Sequence, residues 1–214
     1  MDLSSWLFPL LIAVAIAATA LYFRGRRKNL ILMKEYARAI ERVLKPVDQT
    51  YTWVGGYIGF KADYKVKQAL VKTVKVTLHL MPRLSMFYYP IAKLTMKHDK
   101  LYVVMEASKD IEGEGHLIRK GYYRVIPPGI KDIEKFHKRD VKLGDREFEM
   151  LYQGRKREEL LLSWAQGLKI DFNKVKHLSF TSSTNVVYAL VEPTQELIPA
   201  LLAAMPDLAA AVVK

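Results

Sequence analysis

From Trp6 to Phe23 the chain reads WLFPLLIAVAIAATALYF, 18 residues without a charge. At about 1.5 Å per helical residue this run spans roughly 27 Å, close to the hydrocarbon thickness of a bilayer. Trp6 and Tyr22 stand at its two ends, where amphipathic rings favour the membrane interfaces. Pro9 falls near the outer end, where a missing backbone donor matters least. Arg24, Arg26, Arg27 and Lys28 follow at once, whereas Asp2 is the sole charged residue before the run. That asymmetry predicts a single-pass cell-membrane protein with its N-terminus outside and everything beyond Arg24 in the cytoplasm. The rival is a cleaved signal peptide, because Ala18-Thr19-Ala20 resembles a small-residue cleavage site. A secretory signal, however, carries its positive charge before the apolar run rather than after it.

Between Asn29 and Lys45 the apolar period changes to that of an amphipathic helix. Leu32, Tyr36, Ala39, Ile40 and Val43 share one face, and Lys34, Arg38, Arg42 and Lys45 form a basic stripe elsewhere. Pro46 ends this helix. Gly25 leaves two arrangements open: a straight continuation of the membrane helix, or a bend that lays the segment along the surface.

A period of two follows. Ile58, Phe60, Ala62, Tyr64 and Val66 alternate with polar residues, and so do Val74, Val76, Leu78 and Leu80. Such one-sided strands suit an antiparallel sheet covered on one face. Further strands are expected at 101–107, 116–126 and 147–152, a short helix around 132–138, and a helix over 157–167. Leu178 to Val191 predicts a strand, or two that turn at Ser182-Ser183-Thr184-Asn185. Pro199 and Pro206 predict two short helices, or a kinked one, in the C-terminal Leu/Ala-rich tail. Without a sustained βαβ rhythm, the fold class is α+β: one N-terminal transmembrane helix, then a cytosolic domain with a mainly antiparallel sheet and flanking helices. The expected organisation is an anchor and basic stop at 1–28, a juxtamembrane helix at 29–46, and the α+β domain at 47–214. Pro127-Pro128-Gly129 marks either a subdomain break or a long loop.

Composition adds two constraints. The chain has no cysteine, which excludes disulfides, thiolate-ligated metal centres and thiol nucleophiles. Its net charge of +12 is uneven: residues 24–50 contribute +5 and residues 51–107 contribute +6. Each Lys or Arg close to an anionic leaflet is worth about 1 kcal/mol, so the excess beside the anchor predicts contact with the membrane surface. An RNA- or ribosome-binding face would carry a similar excess.

Candidate chemistry is sparse. His79, His98, His116, His137 and His177 are too far apart in sequence for a paired-His motif. Gly113-Glu114-Gly115-His116 lacks the third glycine and the helix of a dinucleotide loop, and is expected to be a turn. The hydroxyls of 181–184 lack a nucleophile elbow. One stretch, Met81-Pro82-Arg83-Leu84-Ser85-Met86-Phe87-Tyr88-Tyr89-Pro90, is aromatic and too proline-rich for a central strand. Large apolar side chains are usually buried, so Phe87, Tyr88 and Ile91 are expected in the core. The alternative dips the rings into the lipid interface while Arg83, Lys93 and Lys97 meet headgroups.

The function expected from these residues is that of a membrane-anchored accessory or scaffold protein whose basic cytosolic domain docks a protein partner or anionic lipid headgroups. Arg24, Arg26, Arg27, Lys28, Lys34, Arg38 and Arg42 are the expected membrane-surface residues. No cofactor, metal or catalytic residue is expected. The alternatives are a membrane-tethered RNA- or ribosome-binding protein and an enzyme whose site converges without a motif.

Overall fold

The computed structural model describes residues 3–123, 129–130 and 132–213. One helix, α1 (Leu3–Leu44), joins the apolar run and the amphipathic segment into a single continuous element of 42 residues. It stops just before Lys45 and Pro46. Between Trp6 and Arg24 this helix buries nothing against the rest of the protein, and it is long and apolar enough to cross a membrane. Its second half behaves oppositely: Met33, Tyr36, Ile40 and Leu44 belong to the main hydrophobic core.

The remaining elements are β1 (Asp48–Trp53), β2 (Gly59–Gln68), β3 (Val71–His79), α2 (Tyr88–Thr95), β4 (Lys100–Ala107), β5 (Glu114–Arg119), β6 (His137–Leu143), β7 (Arg146–Tyr152), α3 (Arg155–Gly167), β8 (Val175–Thr181), β9 (Val186–Val191) and α4 (Leu197–Val212). All strands join one antiparallel sheet in the order β1-β2-β3-β4-β9-β8-β5-β7-β6. The sheet therefore takes strands from both sides of residues 127–129. Pro127 and Pro128, with the end of the strand expected over 116–126, lie outside the described residues.

One face of the sheet carries the alternating apolar positions, such as Ala62, Tyr64, Val74, Val76, Val103, Met105 and Phe180, and is covered by α1, α3 and α4. Three details differ from the sequence expectation. The tail forms one helix, because Pro199 falls in the first turn of α4, where a backbone N–H would have no intrahelical acceptor and its lack costs little. The interior Pro206 is held by the burial of Leu201, Leu202, Met205, Leu208 and Ala209 around it. The helix expected around 132–138 shrinks to a single 3₁₀ turn at Ile133–Lys135, and the charged β6 follows. The sheet also gains β1, whose DQTYTW sequence has no apolar alternation. Both β1 and β6 are edge strands, and polar edges resist pairing with other chains.

Where the apolar run ends, α1 is locked into the domain by a buried polar collar. Asn29 is fully buried. Its Nδ2 donates to the backbone oxygens of Tyr57 (3.0 Å) and Met81 (3.1 Å), and its Oδ1 accepts from Arg83 (3.0 Å). Arg83 in turn forks onto both oxygens of Asp99, at 3.0 and 2.8 Å, and Asp99 also accepts the Met81 N–H. One helical turn earlier, the Arg26 guanidinium lies over the Tyr57 ring, 4.4 Å from its centroid, and donates to the Tyr57 hydroxyl. Gly25 permits the approach, since a Cβ there would overlap the Arg83 carbonyl.

Asn29→Ala removes three buried hydrogen bonds, leaving the Tyr57 carbonyl without its side-chain donor while the Met81 carbonyl keeps the Arg83 N–H and Arg83 keeps Asp99, at a cost of about 2–4 kcal/mol. For a domain of this size that lowers Tm by roughly 5–15 °C. Gly25→Ala forces α1 away from the loop and is expected to lose a comparable amount. Thermal unfolding of the full chain in detergent checks both, with the exposed Lys67→Ala as a control expected within about 0.5 kcal/mol of the parent.

Candidate functional site: a basic cleft beside an exposed apolar helix

The collar loop leads directly into α2, and α2 is built inside out. Phe87, Tyr88, Ile91 and Leu94 recur at helical spacing on one face, yet they are 72%, 51%, 55% and 78% exposed. On the opposite side Ala92 is fully buried and fastens the helix to the domain. Core packing of Phe87, Tyr88 and Ile91 is therefore overturned: the protein core is already filled by the sheet and α1, and α2 turns its rings outward. Arg83 also departs from its expected headgroup role, since its guanidinium is spent on Asn29 and Asp99.

Past the end of α2, the sheet face away from the helices carries a cleft of about 880 Å³. Its walls come from segments distant in sequence: Lys97 and His98 after α2, Lys100 and Tyr102 of β4, Arg119 to Tyr123 at the end of β5, Arg146 of β7, Lys174 and Lys176 at the start of β8, and Glu192 after β9. Among these described residues are seven lysines and arginines against one carboxylate.

Lys176 occupies the floor because of a β-bulge. Val175 pairs with Val191 and His177 with Leu190, so Lys176 is an extra residue on β8. A bulge interrupts the alternation of side chains. Here Val175 and Leu178 both join the helix-side core, while Lys176 and His177 both face the other side. Lys176 is only 3% exposed, and its Nζ lies 3.7 Å from Glu192, whose other oxygen is held by Lys174 at 2.7 Å. Burial, with the neighbouring Arg119 cation, pushes Lys176 down to about 8. Burial and Arg146 likewise lower Arg119, which donates to the Asn173 carbonyl at 3.1 Å. Lys120 is paired with Asp140 and Glu147 outside the cleft, which leaves the other six cations of the described lining with Glu192 as the one carboxylate among them.

Tyr123 separates this cleft from a second cavity of about 470 Å³ that holds His116, His177 and Tyr188. The Tyr123 hydroxyl is 3.0 Å from His177 Nδ1, and His177 Nε2 is 3.2 Å from His116 Nδ1. Strand pairing thus joins two histidines 61 positions apart, a proximity with no trace in their sequence spacing. Burial keeps both imidazoles neutral, pushing His116 down to about 4 and His177 further. No cluster of three or more metal-ligating side chains occurs among the described residues.

Of the seven basic residues expected at the membrane surface, Arg24, Arg27, Lys28, Lys34, Arg38 and Arg42 are exposed on α1, whereas Arg26 is half-buried against Tyr57. Trp6 and Tyr22 are exposed near the two ends of the apolar run. Apart from Lys97, the cleft cations were not among the residues singled out from sequence, because the sheet and a bulge, rather than a motif, bring them together.

No protein-family model matches the chain, and no curated protein matches it in sequence. Among solved structures it is similar to the crystal structure of the mycobacterial trehalose monomycolate transport factor A, TtfA, at a TM-score of 0.41 and 8% identity, over 82% of this chain and 91% of that one. A likeness at that level bears on neither the site nor the function.

The histidine pair makes the fold acid-sensitive. Each folded-state value lies below the unfolded value of about 6.5, so unfolding takes up protons. The neutral pair's contribution is intact above about pH 6.5 and declines as pH falls towards 4. His116 alone is expected to cost about 2 kcal/mol between pH 7.5 and 4.5. Denaturant midpoints across that range check this, with a shallower loss expected for His116→Gln/His177→Gln.

Proposed function

We propose that this is a single-pass, membrane-anchored accessory or scaffold protein without catalytic activity, whose basic cytoplasmic domain docks on the anionic membrane surface beside its own anchor. The observation that carries this reading is the exposed apolar face of α2. The loop leading to it touches α1 at Gly25, two residues past Phe23, the last apolar residue of the run. Even at about 1 kcal/mol each, below the full-burial range, four such side chains entering the lipid interface contribute about 4 kcal/mol. Lys93 and Lys97 flank them on exposed positions and suit headgroup contact.

The continuous α1 refines which cations take part. Arg24, Arg27 and Lys28 follow the apolar run directly. Arg42 lies about 27 Å further along an upright helix, well beyond a Debye length of about 8 Å. Lys34, Arg38 and Arg42 therefore reach headgroups only as α1 tilts, and upright they are left for a protein partner. An apolar groove of about 480 Å³ beside Lys34, walled by Leu30, Met33, Ala37, Trp53 and Phe60, supports partner docking there. The basic residues that follow the run support an orientation with the N-terminus outside.

The absence of cysteine permits a direct test. A Leu94→Cys chain carrying an environment-sensitive fluorophore, reconstituted into anionic nanodiscs, is expected to show blue-shifted emission that brominated acyl chains quench. The same label on Lys156→Cys, an exposed position of α3, is expected to stay water-like. Water-like emission from position 94 in anionic discs would overturn the proposal.

A further inference from the structure

The geometry points to the cleft at the end of α2 as a binding site for a phosphate monoester group, with Lys176 and Arg119 as its innermost contacts. Lys176 is buried with half a share in one carboxylate, because Glu192 is bonded more closely to Lys174. Arg119 has a carbonyl for a partner, and Arg146, which also lines the cleft, is held by Asn173 at 2.7 Å. A buried cation without a full counter-charge is costly, and a bound anion supplies what is missing. A dianion with several acceptor oxygens meets a planar guanidinium and an ammonium together, where a single carboxylate would leave most of the excess unmatched.

At about 880 Å³ the cleft is much larger than a phosphate, so it has room for whatever carries the group. Tyr102 and Tyr122 offer aromatic walls, and the Tyr122 ring stacks on His98 with centroids 6.3 Å apart. The phosphate could belong to a lipid headgroup or be free in solution. Thr95, Met96, Lys97 and His98, the end of α2 and the turn after it, form one wall, which places the cleft next to the helix proposed to lie on the membrane. The site itself does not depend on that placement, and a free phosphate could reach it without membrane contact by α2.

The test uses the full chain in phosphatidylcholine nanodiscs and reads acylation of Lys176 by an amine-reactive reagent, peptide by peptide, together with calorimetric titration. One arm adds inorganic phosphate. The other replaces part of the phosphatidylcholine with phosphatidic acid, a monoester, or with phosphatidylglycerol, a diester of lower charge. Protection of Lys176 by inorganic phosphate assigns a free ligand, and protection by phosphatidic acid well beyond phosphatidylglycerol assigns a lipid. Lys176→Met and Arg119→Met are each expected to weaken whichever binding is seen by about tenfold or more, and Lys176→Met should retain or raise the unfolding temperature because it removes a buried charge. The proposal is overturned if neither phosphate nor phosphatidic acid protects Lys176, if phosphatidylglycerol protects as well as phosphatidic acid while inorganic phosphate does not, or if both variants bind as the parent does. Protection by single-stranded RNA alone, with a steep salt dependence, overturns it too.

Discussion

Everything in this protein hangs from a single buried amide. A helix that both spans a membrane and enters a soluble core could slide or rotate against its domain, since apolar contacts are non-directional. Asn29 removes that freedom. Its donors and its acceptor meet two backbone carbonyls and one guanidinium from the turn at Tyr57 and the loop at 81–83. A polar group this buried is expensive when unmatched, so a shift of one residue along α1, which rotates the helix by about 100°, would forfeit every bond. The bidentate Arg83–Asp99 pair, only 13% and 11% exposed, holds the receiving side rigid. Depth and azimuth of the domain relative to the apolar run are thereby set together.

The same economy explains why the second sheet face became polar. Helices α1, α3 and α4 cover one face, and the alternation of the strands consigns polar side chains to the other. Near the middle of the sheet, at β4, β9, β8 and β5, that face is too enclosed for water to solvate every group. Two solutions appear side by side. His116, His177 and Tyr123 join one another as neutral partners, with His116 Nε2 left unpartnered, while the lysines and arginines at the strand ends stay charged and incompletely matched. The first arrangement needs no counter-charge. The second calls for an anion, and the bulge at Lys176 supplies the deepest of its cations.

Much of the architecture was legible in the residues. The uncharged run, the strong alternations of β2 and β3, the turn between β8 and β9 and the helix α3 all follow local rules that nothing overrides. Two edge strands escaped notice because edges are where alternation is weakest: β1 is exposed along nearly all its length, and β6 is built from charged residues. The C-terminal prolines misled because position within a helix decides what a proline costs, and Pro199 sits where the cost is small. Around α2, Phe87, Tyr88 and Ile91 stood out as large apolar residues, but the rule that such residues are buried pointed the wrong way. For the cleft no local signal exists. Its cations are contributed one or two at a time by separate segments, and only the sheet order and a one-residue insertion in β8 gather them.

A transmembrane helix alone would leave one motion open even with a rigid collar, namely rotation of the whole protein about the membrane normal together with a change of tilt. Rotation is harmless, but tilt carries the cleft toward or away from the surface. The second membrane contact proposed at α2 would turn a pivot into a base. Tipping the domain away from α2 would then withdraw four large apolar side chains from the interface, at about 4 kcal/mol, which would leave roughly one molecule in a thousand tipped at any moment. Tipping toward α2 brings the cations of the cleft rim closer to anionic headgroups, where each gains about 1 kcal/mol. In the proposed docking, apolar and electrostatic terms would favour the same tilt, and the cleft, which shares a wall with the end of α2, would be the part of the domain whose height that tilt controls.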